Sequence, residues 1–197
     1  MARIKTDKNV SRKDVIVTKA ATLFREKGFK AASMRDLAES VGVEAASLYN
    51  HIKSKTELLH EICFSVANRF MHKIDEIEAE PINSIEKVEK LLRFHINEII
   101  THYEEVYVCD REWKHLADPY LSNFQNQRRI YRKRFAAIIE SGIHNQEIKK
   151  IDAPTAVLIM LHAISGIESW HRSTQKISAE ELEANMITIL VGGLINK

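Results

Sequence analysis

Apolar residues recur every three or four positions along most of this chain, which is the spacing of one face of an α-helix. Long runs of alternating apolar and polar residues, typical of half-buried strands, are absent from the sequence. Capping residues, glycines and prolines divide the periodic pattern into nine segments. The pattern therefore predicts an all-α protein of nine helices without a sheet.

The stretch from Ser33 to Lys55 is predicted to form two short helices joined by a tight turn. Ser33 and Asp36 have the spacing of a helix-capping box. Gly42 follows the first helix, where the chain must turn with a positive φ angle. A second helix is expected over residues 44–52, so the stretch has the organisation of a helix-turn-helix.

Leu48 and Ile52 lie four residues apart and are expected to hold the second helix against the core. Residues on either side of Leu48 face outward and are small, polar or aromatic. They are Glu44, Ala45, Ser47, Tyr49, Asn50 and His51. A face of this kind fits the major groove of DNA.

The segment from Val15 to Leu59 closely resembles the N-terminal module of the TetR family of bacterial one-component regulators. The residues that carry the resemblance are Gly28-Phe29, Ala38, Gly42-Val43, Leu48-Tyr49, and Lys55 followed by Glu57-Leu58-Leu59. Members of the family usually have an aromatic residue where this chain has Ile52, which still fills a core position. The resemblance implies a homodimeric transcriptional regulator, most often a repressor, that a small ligand releases from its operator.

Position on the outer face, together with this resemblance, assigns the expected DNA contacts. The residues expected to contact phosphates are Ser33, Arg35, Tyr49, His51 and Lys55. The residues expected to face base edges are Ala45, Ala46, Ser47 and Asn50. The partner is therefore predicted to be double-stranded operator DNA.

The chain is predicted to divide into a helix-turn-helix DNA-binding domain (residues 1–53) and a ligand-binding and dimerisation domain (residues 54–197). A long helix from Ser54 to about Glu78 is expected to link the two. Pro81 ends that pattern, because proline cannot continue a helix. The later helices are predicted to begin near Ser84, Glu104, Pro119, Ala153 and Ala179.

Charge is distributed unevenly along the chain. Residues 1–57 contain 12 Lys and Arg against 7 Asp and Glu, whereas the remaining residues contain 17 and 20. A basic end on a nearly neutral body is typical of a duplex-binding head. Arg3, Lys5 and Lys8 either form a basic arm that reaches DNA or belong to a tail without contacts.

Several function classes find no support in the sequence. No signal-peptide pattern and no apolar run of the roughly 18 residues that span a bilayer are present, so a cytoplasmic protein without membrane contact is expected. Cys63 and Cys109 give no disulfide framework and are expected to be buried thiols. No catalytic constellation or cofactor motif appears, so neither enzyme activity nor a cofactor is expected.

A metal site is also not expected. His95, His102, His115 and His162 belong to the body, but no pair has the spacing of a helical zinc site and none clusters with cysteine. Scattered histidines are therefore the preferred interpretation.

The segment from Ala153 to Ile167 contains no Lys, Arg, Asp or Glu. A helix that is apolar on all sides needs more than one buried contact. The eighth and ninth predicted helices are therefore expected to form a four-helix homodimer interface with their symmetry mates, so that Ile164→Glu or Leu190→Glu should produce monomers or insoluble protein. Trp170 is expected to pack at the same interface.

Polar residues within apolar stripes predict a ligand pocket in the body. Arg128 interrupts the stripe of the seventh helix and His95 lies on that of the fifth. Arg128 is expected to meet an anionic or carbonyl ligand, or an internal carboxylate such as Asp110 or Glu112. The predicted pocket residues are Phe70, His95, Tyr103, Trp113, Arg128, Tyr131 and His162.

The body resembles, more weakly, TetR-family members that sense acyl-CoA thioesters or fatty acids. The features behind this resemblance are the basic run Gln127 to Arg134, the segment Ile167 to Trp170 and the capped ninth helix. Two other functions remain open from the sequence. One is a lipid- or acyl-binding protein whose head serves as a folding cap, and the other is a DNA-architectural dimer without a ligand.

Overall fold

The computed structural model describes residues 11–174 and 177–195, which form ten α-helices and one short 3₁₀ helix. The helices are α1 (Arg12–Lys27), α2 (Met34–Val41), α3 (Ala45–Leu48), α4 (Lys55–Ala79), α5 (Ser84–Thr101), α6 (Tyr103–Glu112), the 3₁₀ helix (Trp113–His115), α7 (Tyr120–His144), α8 (Ala153–Ser165), α9 (Ile167–Arg172) and α10 (Ala179–Gly192). Within these residues, extended pairing is limited to one antiparallel bridge between Ile148 and Ile195. The all-α prediction is confirmed, while the predicted basic arm (Arg3, Lys5 and Lys8) lies outside the described residues.

The predicted eighth helix is divided at Gly166 into α8 and α9. The amide of Ser169 bonds to the carbonyl of Gly166 at 3.0 Å, an i to i+3 bond that tightens the chain there. Counting α8 and α9 together restores the predicted order of nine helices, with α10 as the ninth.

Local side-chain caps fix several helix starts. The Asp152 carboxylate accepts the Thr155 amide at 2.8 Å where α8 begins. The Ser178 hydroxyl accepts the Glu181 amide at 3.1 Å where α10 begins. These bonds satisfy backbone donors that have no partner within the helix, which explains why the predicted starts of these helices are correct.

The chain forms two compact units. The first contains the described residues up to Ala67 together with Glu104–Gln125, and the second contains Asn68–Tyr103 together with the residues from Asn126 onward. Helices α4 and α7 each supply residues to both units. The functional boundary proposed at residue 53 remains a prediction.

Each unit has its own buried core. In the first unit, Phe24, Leu48 and Phe124 are almost completely buried, and both cysteines, Cys63 and Cys109, are buried thiols rather than disulfide partners. In the second, residues from α4, α5, α7, α8 and α10 form one apolar cluster.

Ile164 belongs to the core of the second unit, where it is 1% exposed, and Leu190 packs partly buried against the same core. Ile164 therefore packs in the core of its own chain, and the predicted interface of the eighth and ninth helices with their symmetry mates remains a prediction. The sequence could not show this placement, because a helix without charges gives no sign of which apolar face points inward.

None of the helices among the described residues combines the length and the apolar character that a membrane span requires.

Candidate DNA-binding surface and effector site

Helix α2 begins in a complete capping box. The Ser33 hydroxyl accepts the Asp36 amide at 3.1 Å, and the Asp36 carboxylate accepts the Ser33 amide at 2.8 Å. The Lys27 ammonium donates to the same carboxylate at 2.7 Å. The hydrogen bond from Lys27, followed by those from Ser33, lowers the pKa of Asp36 well below its usual range. The first turn of α2 is therefore fixed by an ionised carboxylate.

The turn between α2 and α3 is a Schellman motif centred on Gly42, whose φ is 77°. The Val43 amide bonds to the Ala38 carbonyl and the Gly42 amide to the Glu39 carbonyl, each at 3.0 Å. A Cβ on Gly42 would have no neighbour within 4 Å. Glycine is thus required here for its backbone conformation rather than for space.

Helix α3 is shorter than predicted, ending at Leu48 rather than at Ile52. After Leu48 the chain makes i to i+3 bonds from the Asn50 amide to the Ser47 carbonyl and from the His51 amide to the Leu48 carbonyl, together with one i to i+4 bond from the Ile52 amide to the Leu48 carbonyl. Leu48 and Ile52 are 0% and 1% exposed, so both predicted anchors are buried. The periodicity of the anchors is preserved although the last turn is tighter than an α-helix.

The predicted DNA-contact residues of this region differ in exposure. The exposed ones are Ser33, Arg35, Ala46, Tyr49 and Asn50, and the half-buried ones are Ala45, Ser47, His51 and Lys55. Tyr49 is 53% exposed, an unusual position for a large aromatic side chain without a partner molecule. The outer face of α3 and its following turn thus presents short polar side chains and one aromatic ring.

Lys55 at the start of α4 has its ammonium bound within the protein. The nitrogen donates to the carbonyl oxygens of Phe29 at 2.6 Å, Lys30 at 3.2 Å and Ala32 at 2.8 Å. Because an ammonium has three N–H donors, these carbonyls occupy all of them. A phosphate contact by Lys55 stays a prediction, and it now competes with a contact inside the protein.

Three of the predicted effector residues meet in the core of the second unit. His95 Nε2 and the Tyr131 hydroxyl are 2.7 Å apart, and the Phe70 ring lies 4.6 Å from the His95 ring and 5.9 Å from that of Tyr131. Burial lowers the pKa of His95 to about 3 and raises the pKa of Tyr131. Both groups are therefore neutral at pH 7 and bond to each other.

The other four predicted residues lie elsewhere. Tyr103 stacks on His171 at 4.0 Å between ring centroids, and His162 is exposed with Nδ1 2.8 Å from the Leu158 carbonyl. Arg128 is half-buried on α7, three residues before Tyr131. Trp113 belongs to the first unit, where its ring lies 6.0 Å from that of Phe124.

Glu98, a buried carboxylate three residues after His95 on α5, was not among the predicted site residues. Glu98 is 4% exposed and accepts from Arg69 Nε at 2.9 Å, with His102 Nδ1 at 3.4 Å. The spacing of His95, Glu98 and His102 along one face of α5 was the signal that could have revealed it. Among the described residues, no group of three His, Cys, Asp or Glu side chains is arranged to hold a metal ion.

The capped α2, the glycine turn and the outward-facing α3 define a helix-turn-helix DNA-binding protein. Residues 16–62 match the family model for bacterial regulatory proteins of the tetR family, and residues 81–194 match that for the tetracyclin repressor-like C-terminal domain. The chain therefore belongs to the TetR family of DNA-binding transcriptional regulators.

Similar proteins support this membership along nearly the whole chain. The HTH-type transcriptional repressor KstR2 of Mycolicibacterium smegmatis is 25% identical over 93% of this chain and 91% of its own length. The biofilm operon icaADBC regulator IcaR of Staphylococcus aureus is 27% identical over 93% of this chain and 97% of its own length.

Solved structures of the same fold include two whose descriptions concern ligands or DNA. The ketosteroid transcriptional regulator KstR2 of Mycobacterium tuberculosis superposes with a TM-score of 0.88 at 23% identity, over 99% of this chain and 100% of that chain. AibR in complex with isovaleryl coenzyme A and operator DNA superposes with a TM-score of 0.80 at 20% identity, over 92% and 98%. These likenesses establish the fold alone.

Proposed function

We propose that this protein is a homodimeric, cytoplasmic repressor that binds an operator through α2 and α3 and leaves it when an acyl-CoA binds the body. DNA binding is supported by the exposed outer face of α3, which follows the capped helix α2 and its C-terminal glycine turn. Repression is proposed because the curated relatives KstR2 and IcaR are named as a repressor and as a negative regulator.

The proposed DNA contacts follow from exposure and side-chain chemistry. Arg35, Tyr49 and Asn50 are exposed and polar, so they suit contacts with phosphates or base edges. Asn50 carries an amide that matches the paired donor and acceptor of adenine in the major groove. The remaining proposed contacts are Ser33, Ala45, Ala46, Ser47 and His51.

The neutral His95–Tyr131 pair favours a carbonyl-bearing effector over a free fatty acid. A ligand carbonyl only accepts hydrogen bonds, so it can take the place of whichever partner accepts in the pair. A carboxylate among Phe70, His95 and Tyr131 would be desolvated beside groups that are neutral at pH 7, which is costly. An acyl-CoA thioester has the required carbonyl and an apolar chain, and AibR is described with isovaleryl coenzyme A.

Arg128, Tyr103 and His162 remain proposed effector contacts beyond Phe70, His95 and Tyr131 in the second unit. The mechanism is a shift between two conformations, since an effector changes DNA affinity only by binding one conformation better than the other. The free energy of DNA binding that the effector removes is therefore limited by the difference between its binding free energies for the two conformations.

We further propose that the outer faces of α8 and α10 form the homodimer interface. Leu158 and Ile159 on α8 are 49% and 59% exposed, and Ile189 on α10 is 72% exposed. Apolar side chains grouped on two helices are typical of an interaction surface. A second copy is the proposed occupant, because TetR-family regulators dimerise and a self-complementary surface closes with two-fold symmetry.

Binding to a duplex from the DNA flanking the gene tests this function. Fluorescence anisotropy should show tighter binding to that duplex than to a scrambled duplex of equal composition, and isovaleryl-CoA or a longer acyl-CoA should reduce it. Palmitate is the control for a carboxylate effector and should be weaker. Equal affinity for both duplexes would favour the acyl-binding protein with a non-functional head, and binding unaffected by every acyl-CoA would favour the architectural dimer.

A further inference from the structure

The turn between α1 and α2 is held by two side chains from distant parts of the first unit. Lys55, from the start of α4, donates to the carbonyls of Phe29, Lys30 and Ala32. Its nitrogen also lies 4.6 Å from the centroid of the Phe29 ring, a cation–π contact. The Lys55 ammonium thus bonds to three carbonyls within four residues of the turn and also contacts the face of the Phe29 ring.

The second side chain is His115, from the 3₁₀ helix that follows α6. Its ring stacks on Phe29 with centroids 5.4 Å apart and planes inclined by 21°. His115 Nδ1 lies 3.0 Å from the Glu112 carboxylate, although the two groups do not have hydrogen-bond geometry. Phe29 is 8% exposed and also meets Phe24 edge-on at 5.3 Å, so its ring cannot move without disturbing several neighbours.

The turn leads directly into the candidate DNA-binding surface. Ala32, whose carbonyl accepts from Lys55, is followed by Ser33, the cap of α2. Moving residues 29–32 would therefore displace the capping box and the exposed Arg35 one turn later. A fixed turn holds the start of α2 in a single orientation.

We propose that Lys55 is a positioning residue for DNA binding and not a phosphate ligand. It fixes the turn between α1 and α2, and His115 holds the same turn through Phe29. To reach a phosphate, Lys55 would have to break at least one of three charge-assisted hydrogen bonds to carbonyls. This inference rests on the proposed function, because it assumes that α2 and α3 bind DNA.

The salt dependence of binding separates the two roles of Lys55. A phosphate ligand releases counterions, so its loss lowers the slope of log affinity against log salt by about one. For Lys55→Met we expect an unchanged slope and affinity about tenfold lower at each salt concentration, since only about a tenth of the molecules then keep the competent turn. A slope reduced by about one would overturn the proposal.

Lys13→Met is the matched control for charge and stability. It removes one cation from the same unit and breaks an ion pair with Glu61 of 2.8 Å, but it leaves the turn untouched. If both variants lost thermal stability and both bound the duplex as the native chain does at low temperature, Lys55 would be structural only and the proposal would fail.

Hydrogen exchange without DNA tests the turn independently of the proposed function. Lys55→Met and His115→Ala should both accelerate amide exchange over residues 30–36 and leave α5 unchanged. His115→Phe, which keeps an aromatic ring against Phe29, should retain most of the protection. Unchanged exchange in Lys55→Met would refute the positioning role. If exchange is accelerated in Lys55→Met but the native chain does not bind the flanking duplex, only the proposed function is refuted.

Discussion

The buried His95–Tyr131 pair predicts a specific loss of stability in acid. Burial lowers the pKa of His95 from 6.5 to about 3. Between these two values the unfolded chain binds a proton at His95 that the folded chain does not. The contribution of the neutral His95 to the free energy of unfolding should therefore be fully present above pH 6.5 and decrease as the pH falls toward 3.

The expected size of this effect follows from linkage for one group. A pKa of 6.5 in the unfolded chain and about 3 in the folded chain predicts a loss of about 2 kcal/mol between pH 7 and pH 5. Urea unfolding followed by circular dichroism at both pH values measures it. The comparison is with the double variant His95→Leu, Tyr131→Phe, which removes both partners and leaves neither buried and unbonded.

Two further variants test whether His95 is the source of this pH dependence. His144→Asn removes an exposed histidine from the end of α7 and should keep the native pH dependence. The single variant Tyr131→Phe leaves His95 Nε2 without its partner and should cost about 1–3 kcal/mol at pH 7. If the double variant lost as much stability between pH 7 and pH 5 as the native chain, His95 would not be the buried neutral group described here.

Three further predictions concern the surfaces of the molecule. Ser33→Ala should lower stability by about 1 kcal/mol in thermal melts by removing the cap of α2, and native melting would exclude that role. Gly42→Ala should cost about 1–2 kcal/mol because its φ of 77° disfavours a Cβ, with Gly42→Asn costing less, and equal melting of both would contradict the backbone argument. Ile189→Glu should yield monomers in sedimentation while Ile130→Glu, a partly exposed site on α7, should not, and dimers in both would place the interface elsewhere.

Local hydrogen-bond chemistry explains which helix boundaries the sequence could predict. Ser33 with Asp36, and Gly42 after α2, are short-range signals whose partners lie within a few residues. The end of α3 was not predictable in the same way. Leu48 and Ile52 are four residues apart in both an α-helix and the tighter turn that the chain adopts, so periodicity could not separate the two.

Contacts between distant residues account for what the sequence could not reveal about the site. The pairing of His95 with Tyr131 joins α5 to α7, and the contacts of Lys55 join α4 to the turn after α1. Helical periodicity identified His95 and Tyr131 as candidates, and position together with the family resemblance identified Lys55, but neither revealed the hydrogen-bond partners. Burial of Ile164 shows the same limit, because an uncharged helix such as α8 presents several apolar faces to choose from.

Competition between two duplexes measures whether the protein binds DNA sequence-specifically. A labelled duplex from the DNA flanking the gene is bound by the native chain and displaced with either the same unlabelled duplex or a scrambled one. We expect the scrambled duplex to compete about 10³-fold more weakly or worse at physiological salt, and Asn50→Ala to narrow that ratio. Equal competition by the two duplexes would show that the protein does not bind DNA sequence-specifically.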